Sequence, residues 1–147
     1  DDDNRRTSVL ANYARAVYRG GRVMFDLGVQ VEGQHNTRNT DNGYYSPDRY
    51  RRYAVTASSY ISLGQEAGLY LSAALGQQRD ETFDNWKRAT DVNAELTLGI
   101  FSHWQLVGHV GYSQRLNQFG RYEGANVGLN LRYRFCEFRA SRCPSVR

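Results

Sequence analysis

Arg22-Val23-Met24-Phe25-Asp26-Leu27-Gly28-Val29-Gln30-Val31-Glu32-Gly33-Gln34 alternates apolar and polar side chains almost without interruption. Val23, Phe25, Leu27, Val29 and Val31 fall on one side of an extended chain, and Arg22, Asp26, Gln30, Glu32 and Gln34 on the other. A helix places residues three and four apart on one face, so it would mix these two sets, whereas a strand keeps them separate. The stretch predicts a strand with one apolar and one polar face.

The same alternation recurs along the chain. Tyr53, Val55, Ala57, Ile61 and Leu63 form a second apolar row, and Leu69, Leu71, Ala73 and Leu75 a third. Val92, Ala94, Leu96, Leu98 and Ile100 form another, followed by a weaker one at Trp104, Leu106, Val110 and Tyr112. The last, Val127, Leu129, Leu131, Tyr133 and Phe135, is again regular. With an irregular first segment over Ser8 to Tyr18, the pattern predicts seven strands. Composition agrees, since 11 Tyr and 14 Gly against 2 Pro and 1 Met favour strands and turns. No apolar run reaches the eighteen or so residues that a membrane-spanning helix needs.

Nothing in the composition divides the chain, so one domain is expected over residues 1–135, with 136–147 as a tail outside it. That tail has no periodicity and holds both cysteines, Cys136 and Cys143, at a spacing that suits neither a metal site nor a redox pair. It reads as an added or cloning-derived extension. The formal net charge is +4, but the tail contributes three Arg against one Glu, which leaves the strands nearly balanced. Such a balance gives no reason to expect nucleic acid as a partner. The start, Asp-Asp-Asp-Asn-Arg-Arg, has no apolar h-region behind it, so a secretory signal is expected to have been removed or to lie upstream.

Connections between the segments alternate in length. Short turns are expected at 19–22, 64–67 and 101–104, and longer polar loops at roughly 35–51, 79–88 and 115–122. Tight turns at one end and long loops at the other are the habit of outer-membrane barrels. The polar face carries Asp26, Glu32, Asp91, Glu95, Arg115, Arg132 and Arg134, too many charges for a packed core, so it faces water or a hydrated lumen. Aromatic residues gather near the segment ends, with Tyr18, Phe101, Trp104, Tyr133 and Phe135 towards the short turns. Tyr50, Tyr53, Trp86, Tyr112, Phe119 and Tyr122 lie towards the long loops. Two such girdles match the two interfaces of a bilayer. The expected fold is therefore all-β, an antiparallel up-and-down transmembrane β-barrel.

The final row, Val127, Leu129, Leu131, Tyr133 and Phe135, resembles the C-terminal signature that the barrel-insertion machinery reads in bacterial outer-membrane proteins. The resemblance implies that Phe135 lies on the periplasmic side, with short turns periplasmic and long loops external. Seven strands would then start outside. A single-chain barrel normally has an even number, so the chain is expected to be the C-terminal part of a larger barrel, or an eight-stranded barrel whose first strand carries no readable pattern.

Asn42-Gly43-Tyr44-Tyr45-Ser46-Pro47-Asp48-Arg49-Tyr50, directly before a strand, looks like the Gly-Tyr-(Tyr/Phe)-Ser-Pro element of exopolysaccharide export porins. Those porins carry periplasmic tetratricopeptide repeats and serve cellulose, poly-N-acetylglucosamine or Pel-like polymers. The resemblance implies a passive conduit in the bacterial outer membrane, with no cofactor. Its partners would be membrane lipid, a polysaccharide chain, the insertion machinery and the remainder of its barrel or repeat domain. Asp26, Gln30, Glu32, Arg52, Tyr60, Tyr70, Asp91, Asn93, Glu95, His109, Arg115, Asn130 and Arg132 would line the path, with Tyr44, Tyr45, Ser46 and Pro47 in an external loop. Aromatic faces stack on sugar rings, and the polar groups exchange hydrogen bonds with hydroxyls. The same turn residues are also ordinary loop formers.

Two other classes compete. His35 shares a loop with Asp41 and Ser46, a set that could serve a nucleophilic enzyme, and His103 and His109 could act as bases. Their spacing fits no catalytic motif, and no enzyme is expected. A small autonomous barrel with a structural or adhesive role would have its interior filled by side chains rather than water.

Overall fold

The structure is a computed structural model that describes residues 5–37, 47–82, 85–117 and 120–135. These residues form seven strands: β1 (Arg6–Gly20), β2 (Val23–Asn36), β3 (Tyr50–Ser62), β4 (Ala67–Arg79), β5 (Lys87–Leu98), β6 (Trp104–Asn117) and β7 (Gly120–Tyr133). Each pairs antiparallel with the next in sequence, in one sheet of order β1-β2-β3-β4-β5-β6-β7. The all-β, up-and-down meander expected from the alternation is thus present. Closure is not: β1 and β7 remain edges, and the sheet is open.

The register shows why the alternation is so legible. In an antiparallel pair, residues directly opposite each other project to the same side. Val29 faces Val55, Val55 faces Leu75, Ala73 faces Val92, Ala94 faces Val110 and Val110 faces Val127. The apolar rows of the separate segments therefore merge into one continuous face. The irregular first segment has two causes: Leu10 lies on the enclosed side opposite Glu32 and Arg15 on the outward side opposite Leu27, and a register shift follows between Ala16 and Tyr18 in β1. This bulge puts an extra residue on one strand and flips the parity of the residues beyond it. The weak row of β6 has another, because Gly108 occupies an outward position opposite Leu129.

Burial is inverted relative to a water-soluble domain. Buried side chains include Arg52, Gln78 and Asp80, while Val55 is 62% exposed and Val127 82% exposed. Among the described residues the buried apolar side chains are Tyr50, Ala54, Ala89 and Pro47. The polar face is the enclosed one. Asn12 and Ala14 of β1 line the same recess as Arg115 of β6. In a flat sheet those strands would stand roughly 24 Å apart, so the sheet curls around its polar side.

The hydrogen-bonded rows also run obliquely. The row through Tyr13 passes Val29, Val55, Leu75, Thr90 and Gln114 and reaches Glu123. Tyr13 lies seven residues past Arg6 at the start of β1, and Glu123 only three past Gly120 at the start of β7. The row has slipped towards the long-loop ends, as strands do when they tilt against the axis of a cylinder.

Two expectations about ends need correction. β6 runs to Asn117 and β7 starts at Gly120, so the third long loop shrinks to 118–119. Its mixed polarity concealed two strand ends that continue beyond the regular apolar rows. Tyr50, expected among the outer aromatics, stands opposite Gln34 on the polar face and is buried. Gly21, at φ 53°, makes the β1–β2 turn, and Gly99, at φ 71°, stops β5 before Ile100. Both φ values are comfortable for glycine alone.

Candidate functional site

Even-numbered positions in β2 through β4 face the enclosed side, and in β5, β6 and β7 the register keeps that side at odd, odd and even positions respectively. It puts all thirteen expected wall residues on one face: Asp26, Gln30, Glu32, Arg52, Tyr60, Tyr70, Asp91, Asn93, Glu95, His109, Arg115, Asn130 and Arg132. Here His109 stands opposite Glu95 and Gly128, Ser113 opposite Asp91, and Arg132 opposite Gln105.

Five of the thirteen converge. Arg52, on β3, reaches across β4 to ion-pair with Asp91 on β5. Its Nη1 donates to Gln30 Oε1 at 3.3 Å and lies 3.7 Å from Glu32 on β2. Asp91 also accepts from Ser113 Oγ at 2.7 Å and pairs with Arg115 at 3.3 Å, both on β6. The bridge across β4 is open because its enclosed positions there are Ala74 and Gly76, which leave room for the arm of Arg52. A side chain at Gly76 would strike the backbone of Tyr53 and Ala54. The network thus ties four strands together and holds two positive and two negative charges, so its own charge cancels. Two guanidinium donors, Nε of Arg52 and Nε of Arg115, are buried without an acceptor.

Above the short-turn side of this network lies an open recess of about 420 Å³, lined by Asp26, Gln30, Arg52, Tyr70, Asp91, Asn93 and Arg115 among others. Tyr60, directly opposite Tyr70, lays its ring over Gly68, and Glu95 stands next in that row. His109 lays its ring over Gly128. Asp26 is ion-paired to Arg19 of β1. Asn130 and Arg132 lie towards the β7 edge, away from the recess.

Sequence reasoning missed three contributors: Ser113, Gln78 and Tyr50. Gln78 and Tyr50 share a hydrogen bond of 3.2 Å at the long-loop end. All three have the parity of the polar face, so the register was their signal; parity does not say which residues of that face meet. Pro47 is fully buried, and its carbonyl accepts from Asn36 Nδ2 at 2.7 Å. Glu81, from the β4–β5 loop, accepts the backbone N–H groups of Asp48 at 2.7 Å and Arg49 at 3.1 Å. The two loops therefore brace each other.

Searched against known protein families, curated proteins and solved structures, the chain matches none. Tyr44, Tyr45 and Ser46 lie outside the described residues, as do Asp41, Phe119 and the tail 136–147. His35 sits at the long-loop end with its Nδ1 against the Asp48 carbonyl oxygen at 2.5 Å, while His103 lies in the opposite turn and its ring stacks near Tyr133. Among the described residues no group of three His, Cys, Asp or Glu gathers in a way that could hold a metal.

The outward face is equally well defined. Val127, Leu129, Leu131, Tyr133 and Phe135 all project to it, and Phe135 lies just past the end of β7. Trp104, Tyr133 and Phe135 form an aromatic cluster at the short-turn end, with ring centroids 4.6 Å apart in each contact. Tyr53 and Trp86 form a second pair, 5.0 Å apart, towards the long loops.

Proposed function

We propose that this sheet is the wall of an outer-membrane β-barrel whose enclosed face lines a hydrated conduit for an exopolysaccharide. The observation that carries the reading is the inverted burial: Arg52 is buried and Asp26, Glu32, Asp91 and Arg115 are half-buried on the concave face of β2, β3, β5 and β6, while large apolar side chains are exposed on every one of the seven strands. A bilayer accepts such an apolar face, and a hydrated lumen accepts the polar one. Water accepts the first only at a large cost in exposed hydrophobic area. The aromatic clusters at the two ends of the sheet support the same orientation.

The open edges of β1 and β7 fit a wall that further strands complete, because an unpaired edge in hydrocarbon leaves backbone groups unsatisfied. The regular apolar row ending at Phe135 supports recognition by insertion machinery. The recess suits sugar: Tyr70 offers an aromatic face, with Tyr60 beside it in the same row, and the charge-compensated network offers hydrogen bonds without strong ion selectivity. No chemical step is needed for such a role, and no cofactor.

Planar-bilayer recording on the reconstituted full-length protein tests it. The reading expects a steady, weakly ion-selective conductance that falls when uncharged oligosaccharides are added. A barrel that inserts but carries no current would contradict the conduit and favour a filled structural barrel.

A further inference from the structure

At the long-loop end the outward face changes character within two rows. Row by row from mid-sheet, Val55 and Leu75 give way to Tyr53 and Gln77, and then to Arg51 and Arg79, which face each other. Arg49, Arg51 and Arg79 border a recess of about 350 Å³ together with Trp86. All three guanidiniums are on exposed residues, and among the described residues no carboxylate lies within ion-pair distance of them. Asp80 and Glu81 also border the recess and leave it one positive charge in excess; their oxygens are turned to other donors, Asp80 accepting from Thr82 N at 2.8 Å and from the Thr82 hydroxyl, and Glu81 from the two N–H groups of the neighbouring loop. Arg88, one row nearer mid-sheet and opposite Gln77, adds a further exposed positive charge.

Directly beside this recess, and sharing Arg51 and Trp86 with it, runs a groove of about 390 Å³ with almost wholly apolar walls. Val9, Ala11, Val31 and Tyr53 line it. Its floor is Gly33, where an added side chain would meet nothing. A cationic recess opening into an apolar groove, on the face argued above to lie in lipid, has the shape and polarity of an amphiphile.

We infer that Arg49, Arg51 and Arg79 bind the phosphates of a phosphorylated glycolipid of the lipid A type, with an acyl chain lying over Gly33 between Val9, Val31 and Tyr53. Guanidinium forks match phosphate oxygens in geometry and charge. Trp86 and Tyr53 mark the depth at which headgroup meets hydrocarbon. A lipid with one phosphate engages fewer of the guanidiniums than one with two, and a zwitterionic lipid gains least, because its own cation offsets its single phosphodiester charge.

This site rests on the membrane reading, so its test separates the two. Full-length protein in detergent is analysed by native mass spectrometry with diphosphoryl lipid A, monophosphoryl lipid A or phosphatidylcholine, and the same preparation is floated with vesicles. Diphosphoryl lipid A should be retained about tenfold more tightly than the monophosphoryl form, and the R51Q/R79Q variant should lose about tenfold. Gly33→Leu, which fills the groove without touching an arginine, should weaken both phosphorylated lipids, and millimolar inorganic phosphate should displace neither. Protein that floats yet shows no phosphate preference, or is unaffected by R51Q/R79Q, overturns the lipid site alone. Displacement by inorganic phosphate would mean an anion site without a lipid and would also overturn it. Protein that does not float overturns the membrane reading and the site with it.

Discussion

Arg52 brings a full charge to one of the most enclosed points of the sheet and is held there by carboxylates on both flanking sides. Breaking such a pair from one side leaves the other charge uncompensated. The two sides are not equivalent. Removing Arg52 leaves Asp91 with Arg115 and Ser113, whereas removing Asp91 leaves Arg52 with the neutral Gln30 and one carboxylate, Glu32, at 3.7 Å. We therefore expect Asp91→Ala to cost about 3 kcal/mol and Arg52→Met about 1–2 kcal/mol in urea unfolding of vesicle-reconstituted protein. The double variant should cost less than the two together, since neither charge is then stranded. A near-neutral Asp91→Ala would show that the network is fully hydrated. That Arg52 and Asp91 belong to the polar face could be read from parity. Their meeting could not, because it depends on two strand registers and on the small side chains of β4 between them.

Along a single strand, the face on which a residue lies should decide the effect of a substitution more than its exposure does. Val55 is at mid-strand in β3, opposite Val29 and Leu75, and is 62% exposed. For a protein in water, Val55→Arg at such a site should change stability by no more than about 0.5 kcal/mol. With that face in hydrocarbon, the same change should cost about 2–4 kcal/mol. Unfolding the variant from vesicles distinguishes these outcomes. The strands were legible because alternation is strict wherever one face meets a different medium from the other. It blurred at three places with local causes: the β1 bulge, Gly108 in β6, and the ends of β6 and β7, where polar residues continue the strand. Tyr50 shows a related limit. Aromatic content near a strand end suggested a girdle, but parity sends that ring inward to Gln78.

At the scale of the whole molecule, seven strands in sequence order follow from short connections and consistent parity. The curl of the sheet around its charged side does not follow from any one strand. It comes from oblique registers and from glycine and alanine on the enclosed face, where curvature leaves little room. Closure is likewise beyond a strand-by-strand reading, and β1 and β7 stay open. The central claim is that one face of this sheet meets lipid and the other meets water. Site-directed spin labelling tests it most directly, with single cysteines at successive positions from Val23 to Glu32 in reconstituted protein whose Cys136 and Cys143 are replaced by serine. Collisions with oxygen should peak at Val23, Phe25, Leu27, Val29 and Val31, and collisions with a water-soluble nickel chelate at the positions between them, in opposite phase. Equal access of the nickel chelate to both sets would contradict the account.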